Sequence, residues 1–136
     1  MLSLERSYLD EMIAHAQEDS PNECCGILAG KDGRCVKHYR ALNSEGSPYR
    51  YNMDPADLFR IYRDIERNGW DILAIYHSHT FSEAYPSQTD INLAFYPDSY
   101  YVLVSLMPED APLVRAFRID RDARTVTEEE VQVIAG

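Results

Sequence analysis

The chain has 136 residues, 45% of them apolar, a formal net charge of −10 and a pI near 4.7. That length suits one ordinary domain with one core. The acidic balance, with no evident cluster of Lys and Arg, argues against nucleic acid and against an anionic membrane surface as partners.

Residues 4 to 19 read as a helix, with Leu9, Met12, Ile13 and Ala16 at helical spacing and Glu5, Asp10, Glu11 and Gln17 on other faces. Asp19, Ser20 and Pro21 end it. Cys24 to Gly30 is an apolar run that fits a buried strand. Lys31-Asp32-Gly33 then turns the chain into Arg34 to Ala41, a hairpin partner. The three cysteines, Cys24, Cys25 and Cys35, are odd in number and two are adjacent, so they make no disulfide framework. Reduced thiols fit a cytoplasmic protein. The start, M-L-S-L-E-R-S-Y, lacks the order of a signal peptide, and no apolar run approaches the ~20 residues that span a bilayer. A soluble, cytoplasmic protein is the expectation.

Residues 42 to 53 are loop-like and end in a short segment from Tyr49 to Met53. Asp54 as N-cap and Pro55 at the first helical position open a second helix. Leu58, Ile61, Tyr62 and Ile65 form its apolar face, and Asn68-Gly69 closes it. Asp71 to His79 is a strand whose Ile72–Tyr76 run is apolar enough for a place buried on both faces. A third helix is expected from Ser87 to about Phe95. Further strands follow over Tyr100–Met107, Leu113–Ile119 and Arg124–Ile134, the last an edge guarded by Glu128-Glu129-Glu130. With no repeat and no linker, residues 1–136 read as a single α/β domain.

The chemistry gathers in Tyr76 to Asp90, Y-H-S-H-T-F-S-E-A-Y-P-S-Q-T-D. Side chains two apart on a strand share a face. His77 and His79 therefore project together at the end of a central strand, and Ser78 turns away. With ten residues between, Asp90 can return to the same point. Two His and one carboxylate make the three-ligand set of a catalytic Zn²⁺ site, which keeps a position for water. Glu23, opening a buried strand, is the candidate base, and Ser87 after Pro86 the candidate oxyanion donor. Each residue also has an ordinary reading. Ser87-Gln88-Thr89-Asp90 is a variant capping box, and Glu23 is a solvated residue after a helix. The joint occurrence favours the metal site.

These residues resemble a known signature. Glu23 followed by H-S-H, ten residues and Asp, with Ser three before that Asp, is similar to the JAMM (MPN+) metalloprotease motif. P-N-E-C-C-G-I-L-A-G and H-S-H-T-F-S-E-A-Y-P-S-Q-T-D are similar to its small bacterial branch. The likeness covers the whole chain and joins segments more than 50 residues apart. It implies the JAMM/MPN-like (cytidine-deaminase-like) fold, a mixed central sheet flanked by about three helices. It also implies one Zn²⁺ per chain on His77, His79 and Asp90, Glu23 as acid/base and Ser87 as oxyanion donor. One departure is Thr80, where many members have proline; this resembles bacterial members acting on sulfur-carrier proteins. The implied substrate is a small ubiquitin-like sulfur carrier ending in Gly-Gly, cut after that end to release cysteine during cysteine biosynthesis.

Cys24 and Cys25 invite a thiol-nucleophile reading, set below their reading as small apolar residues; whether Cys24 nears the metal stays open. Tyr49, Arg50 and Tyr51 are candidates for a groove that pairs with an extended substrate tail, or simply cover the core. His15 and His38 read as surface residues. Two other readings remain: a non-catalytic interaction module with a structural metal, and a zinc hydrolase of small amides.

Overall fold

The computed structural model describes residues 1–108 and 111–136. The hairpin forms as the turn residues demand: β2 (Cys25–Lys31) and β3 (Arg34–Ala41) pair antiparallel, with Asp32 and Gly33 at positive φ between them. Helix α2 (Pro55–Asn68) starts where Asp54 accepts from the Asp57 N–H. It stops where Gly69 takes a left-handed φ of 67°, a conformation that Gly adopts without steric cost. Strand β4 (Asp71–His79) has the expected bounds, and β5 (Tyr100–Ser105) lies parallel to it. Helix α3 (Gln88–Asn92) falls between them and is shorter than expected. Strands β6 (Leu113–Asp120) and β7 (Thr125–Glu129) complete a six-stranded mixed sheet in the order β3-β2-β4-β5-β6-β7.

Strand parity assigns the two faces. Ile27, Ile75, Leu103 and Phe117 pack with Ile61 and Ile65 of α2. Leu28, Ala74, Tyr76, Val102 and Val104 pack on the other side with Leu9, Met12 and Ala16 of α1 (Arg6–Asp19). Each large aliphatic side chain so buried contributes roughly 1.5–3 kcal/mol. His77 and His79 continue the odd series, so they stand on the α2 face.

Two expectations need correction at the termini. The first helix begins at Arg6, because residues Leu2–Glu5 form a strand, β1, with Leu2 and Leu4 inward. The last segment is two strands: β7 stays on the sheet, while β8 (Val131–Ile134) leaves it to pair in parallel with β1. The pattern of Leu2 and Leu4 is too short to separate a strand from a helix start; a partner more than a hundred residues away decides it. Tyr49–Met53 also forms no strand, only a single bridge from Met53 to Asn43.

His15 and His38 are not surface residues. His15 is 4% exposed, and the His38 side chain is 8% exposed. The Tyr76 hydroxyl lies 2.6 Å from His15 Nδ1 and 2.6 Å from His38 Nε2. Asp19 faces the outer nitrogen of His15 at 3.3 Å, and Glu11 that of His38 at 3.2 Å. Burial pulls both imidazoles below their ordinary pKa. The bridge forms because Gly26 lets the Tyr76 ring lie against β2: a Cβ there would come within 2.4 Å of that ring.

Candidate metal centre

Strand periodicity brings two imidazoles together, and a capping box brings the carboxylate. Ser87 Oγ accepts from the Asp90 N–H at 3.1 Å, and Asp90 Oδ2 accepts from the Ser87 N–H at 2.9 Å. The cap thus fixes Asp90 with the same oxygen facing His77 Nε2 at 3.2 Å and His79 Nε2 at 3.0 Å. Structural cap and ligand position are one arrangement. The two imidazole Nε2 atoms are themselves 3.2 Å apart, and the three residues form a group able to hold a metal ion.

The chemistry of this donor set fits a cation. The Glu83 carbonyl lies 2.8 Å from His79 Nδ1, so that nitrogen carries its proton and Nε2 offers a lone pair. Two imidazole nitrogens and a carboxylate oxygen then converge, each able to offer a lone pair to one ion. A tetrahedral ion bound at ~2.0–2.1 Å would separate its ligands by about 3.3 Å, close to the spacing found. Tyr51 stacks on the His77 ring with centroids 4.4 Å apart and covers that imidazole. Tyr49 sits on the rim, 78% exposed, with its ring 6.2 Å from that of Phe81. Arg50 is exposed beside them.

Electrostatics divides the ligands. Burial holds His77 below its ordinary pKa. Burial also pulls His79 down, but its bonds to Asp90 and the Glu83 carbonyl, with the charges of Asp90 and Glu23, carry it above 6.5. Burial would raise Asp90, yet the two imidazoles and the Ser87 N–H hold it far below the usual carboxylate range.

Glu23 lies two residues before the start of β2. Cys25 pairs with His77, and Cys24 and Ser78 exchange hydrogen bonds of 2.8 and 3.1 Å, so Glu23 stands opposite His79. It is 4% exposed, and its Oε1 is buried without a hydrogen-bond partner. Burial, with a further push from Asp90, raises its carboxyl to about 8 against a pull from His79. A buried carboxylate oxygen left unpaired beside three ligand atoms is costly for folding alone.

Residues beyond the signature hold these parts in place. The buried Asn43 amide donates to the carbonyls of Glu23 and Arg50 at 3.0 and 3.1 Å. Its Oδ1 accepts from the Glu45 and Asn52 N–H groups, each at 3.0 Å. The Thr80 hydroxyl, where proline would have no donor, lies 2.9 Å from the Pro21 carbonyl and 3.3 Å from that of Pro48. It ties both flanking loops to the end of β4. Asn43 carried no spacing signal in the sequence; Thr80 was visible only as a departure. Cys24 packs among the α1-side residues, away from the ligands. Burial pushes the thiols of Cys24 and Cys25 up to about 12, so neither is a thiolate nucleophile.

The chain is 41% identical over 136 residues to the CysO-cysteine peptidase of Mycobacterium tuberculosis, covering 98% of this chain and 92% of that protein. It is 36% identical over 111 residues to the desampylase of Haloferax volcanii, covering 76% and 80%. The solution structure of protein DSY2949 from Desulfitobacterium hafniense superposes with a TM-score of 0.88 at 36% identity, over 100% of this chain and 94% of that one. The fold is also that of a JAB1/MPN domain protein, AF2198 from Archaeoglobus fulgidus, with a TM-score of 0.63 at 17% identity over 97% and 98%. Residues 5–120 match the family described as prokaryotic homologs of the JAB domain, and the chain belongs to that family.

Proposed function

We propose that the chain, as one catalytic domain, is a zinc-dependent peptidase. It cleaves after the Gly-Gly end of a small ubiquitin-like sulfur-carrier protein and releases cysteine in the cytoplasm. The observation that carries this is the unpaired Glu23 carboxyl standing opposite His79, beside the convergent nitrogens of His77 and His79 and the Asp90 carboxylate. A site built only for stability has no use for that unpaired group. The similarity to a CysO-cysteine peptidase over 98% of the chain supports the substrate class. No helix of the described residues is long and apolar enough to cross a membrane.

His77, His79 and Asp90 would hold the ion, which when bound supplies a Lewis acid that polarises the scissile carbonyl and acidifies water. Glu23 takes the proton of the attacking water on its carboxylate and returns it to the leaving amine. Its burial favours that return, because the protonated form is the comfortable one there. Ser87 Oγ already accepts from the Asp90 N–H, so its own proton is free to be donated to the carbonyl oxygen as charge develops. Losing one such donor typically costs ~2.7–4 kcal/mol of transition-state stabilisation.

The test is mass spectrometry of metal-quantified protein mixed with a Gly-Gly-ended carrier bearing a C-terminal cysteine, alongside Glu23→Gln. Loss of one cysteine mass with the native protein only, at about one zinc per chain, is the expected result. Bound zinc in both proteins with no cleavage of this or longer-tailed carriers would instead indicate a non-catalytic module.

A further inference from the structure

The sequence showed no basic cluster, yet folding makes one. A groove of about 650 Å³ between edge strand β3 and α2 is lined by Lys37, Arg40, Arg60, Arg63 and Arg67 against a single carboxylate, Asp64. These are five of the 13 Lys and Arg residues in a chain of net charge −10. They come from two segments some 20 residues apart, which is why neither segment stands out alone. Asp64 is already taken by Lys37 at 2.9 Å and by the Tyr39 hydroxyl. Arg40 pairs with Glu18, and Arg60 reaches Asp57 at 3.5 Å. Among the described residues, Arg63 and Arg67 have no carboxylate partner within ion-pair distance. In their midst Phe59 is 63% exposed, with the Arg63 guanidinium 5.7 Å from its ring centre. Arginine beside an exposed aromatic ring is the composition of a protein-binding surface. An edge strand kept soluble by its own charges would not need three arginines on the neighbouring helix.

The position of the groove says what it serves. Helix α2 packs on the face that carries His77 and His79, and the loop entering it stacks Tyr51 on His77. Arg63 and Arg67 lie ~12 and ~18 Å along the helix from its start. Strand β3 ends at Ala41, level with Cys25 and hence with His77; Lys37 is ~13 Å back along it. A globular domain of ~80 residues has a radius of gyration near 12 Å, so it can cover the groove while its own tail enters the site. We infer that this groove is the docking surface for an acidic face of the folded part of the protein substrate, separate from the site that receives its tail. This rests on the proposed peptidase reading. Its physical consequence is a division of labour: the site acts on the tail, and the groove selects and holds the carrier by charge, which speeds encounter and tightens binding at low salt.

The experiment compares native protein, R63E/R67E, R63K/R67K and, as a charge control at the opposite edge of the sheet, Arg121→Glu. Binding of a fluorescent Gly-Gly-ended carrier is read by anisotropy at two ionic strengths. Cleavage is read separately on the cysteine-bearing carrier and on a short peptide ending in Gly-Gly-Cys. The expected result is a Kd about tenfold or more weaker for R63E/R67E, with a matching rise in KM for the carrier. kcat, the peptide reaction and the melting temperature stay as in the native protein, R63K/R67K and Arg121→Glu behave as native, and the difference shrinks as salt rises. Equal carrier affinity in R63E/R67E and native protein overturns the docking surface even if cleavage is seen. Carrier binding that depends on these arginines, with neither substrate cleaved, keeps the surface and removes the peptidase reading. Absence of any carrier binding to native protein overturns the surface as well.

Discussion

Two imidazole clusters meet strand β4 on its opposite faces, and their chemistry is opposite too. On the α2 face, His77 Nε2, His79 Nε2 and Asp90 Oδ2 converge at 3.0–3.2 Å, and the Nδ1 of His77 is buried without a partner. On the α1 face, the Tyr76 hydroxyl stands between His15 and His38 at 2.6 Å from each. A phenol can donate to one ring while accepting from the other, so that cluster is satisfied by the protein alone. The first cluster converges three potential ligand atoms and leaves polar atoms around it unpaired, an arrangement that suits a cation. The difference teaches how to read paired histidines: what counts is whether a proton or a lone pair occupies the space between them. A single residue step along β4, from Tyr76 to His77, separates a bracing group from a candidate ligand.

The strongest way to break the contrast is Asp90→Asn. The amide keeps the shape but gives up the charge, and we expect zinc content near zero by elemental analysis. Peptidase activity should fall by three orders of magnitude or more, on the order of losing the whole Lewis-acid contribution. Native activity in this variant would mean that the ion, if any, is held elsewhere.

On the other face the expected effect is on stability. Tyr76→Phe leaves two buried imidazole nitrogens without their shared partner, at a cost of about 1–3 kcal/mol each. A melting temperature lower by roughly 6–20 °C follows, with zinc content and kcat per folded molecule unchanged. A variant that melts normally but loses zinc would show that the two faces are not separate.

Thr80→Val tests the link between the faces and the flanking loops. Removing the hydroxyl frees the Pro21 and Pro48 carbonyls it now meets, costing about 1 kcal/mol. Because those loops carry Glu23 and Tyr51, kcat should fall a few-fold while zinc is retained; kinetics with parallel metal analysis reads both.

The smallest effect is a pH slope in metal-free protein. Burial raises Glu23 from 4.5 to about 8. Between those values the unfolded chain loses a proton that the folded chain keeps, so stability falls as pH rises. His79, also raised, acts in the same direction above 6.5, whereas the lowered His77 acts oppositely but only below 6.5. Between pH 6.5 and 8, urea midpoints of chelated protein should therefore drop, and Glu23→Gln should flatten part of that drop. A slope equally steep in Glu23→Gln would show that Glu23 is not the buried acid.

Much of the site was legible because its rules are local. Strand parity put His77 and His79 on one face, and the Ser87–Asp90 spacing marked the cap that brings Asp90 to them. Asp54, Pro55 and Gly69 bounded α2 through the donor and φ requirements of helix ends. The environments of His15 and His38 were not legible, because a histidine's burial depends on partners that arrive from α1, β3 and β4 together. Residues 49–51 illustrate the same limit: their aromatic character was plain, but that Tyr51 covers His77 while Tyr49 stays on the rim is decided by the path of a loop hung on Asn43.

The sequence by itself determined the periodic and terminal features: which residues alternate, where helices start and stop, and which atoms can ligate. Only the tertiary structure decided which polar groups share a space. It placed Glu23 opposite His79, Tyr76 between two imidazoles, β8 beside β1, and the arginines of α2 alongside Lys37 and Arg40 of β3. The physical reason is range. Periodicity and capping act within a few residues, whereas pairing a buried charge, proton or lone pair needs groups brought together by the whole packed sheet.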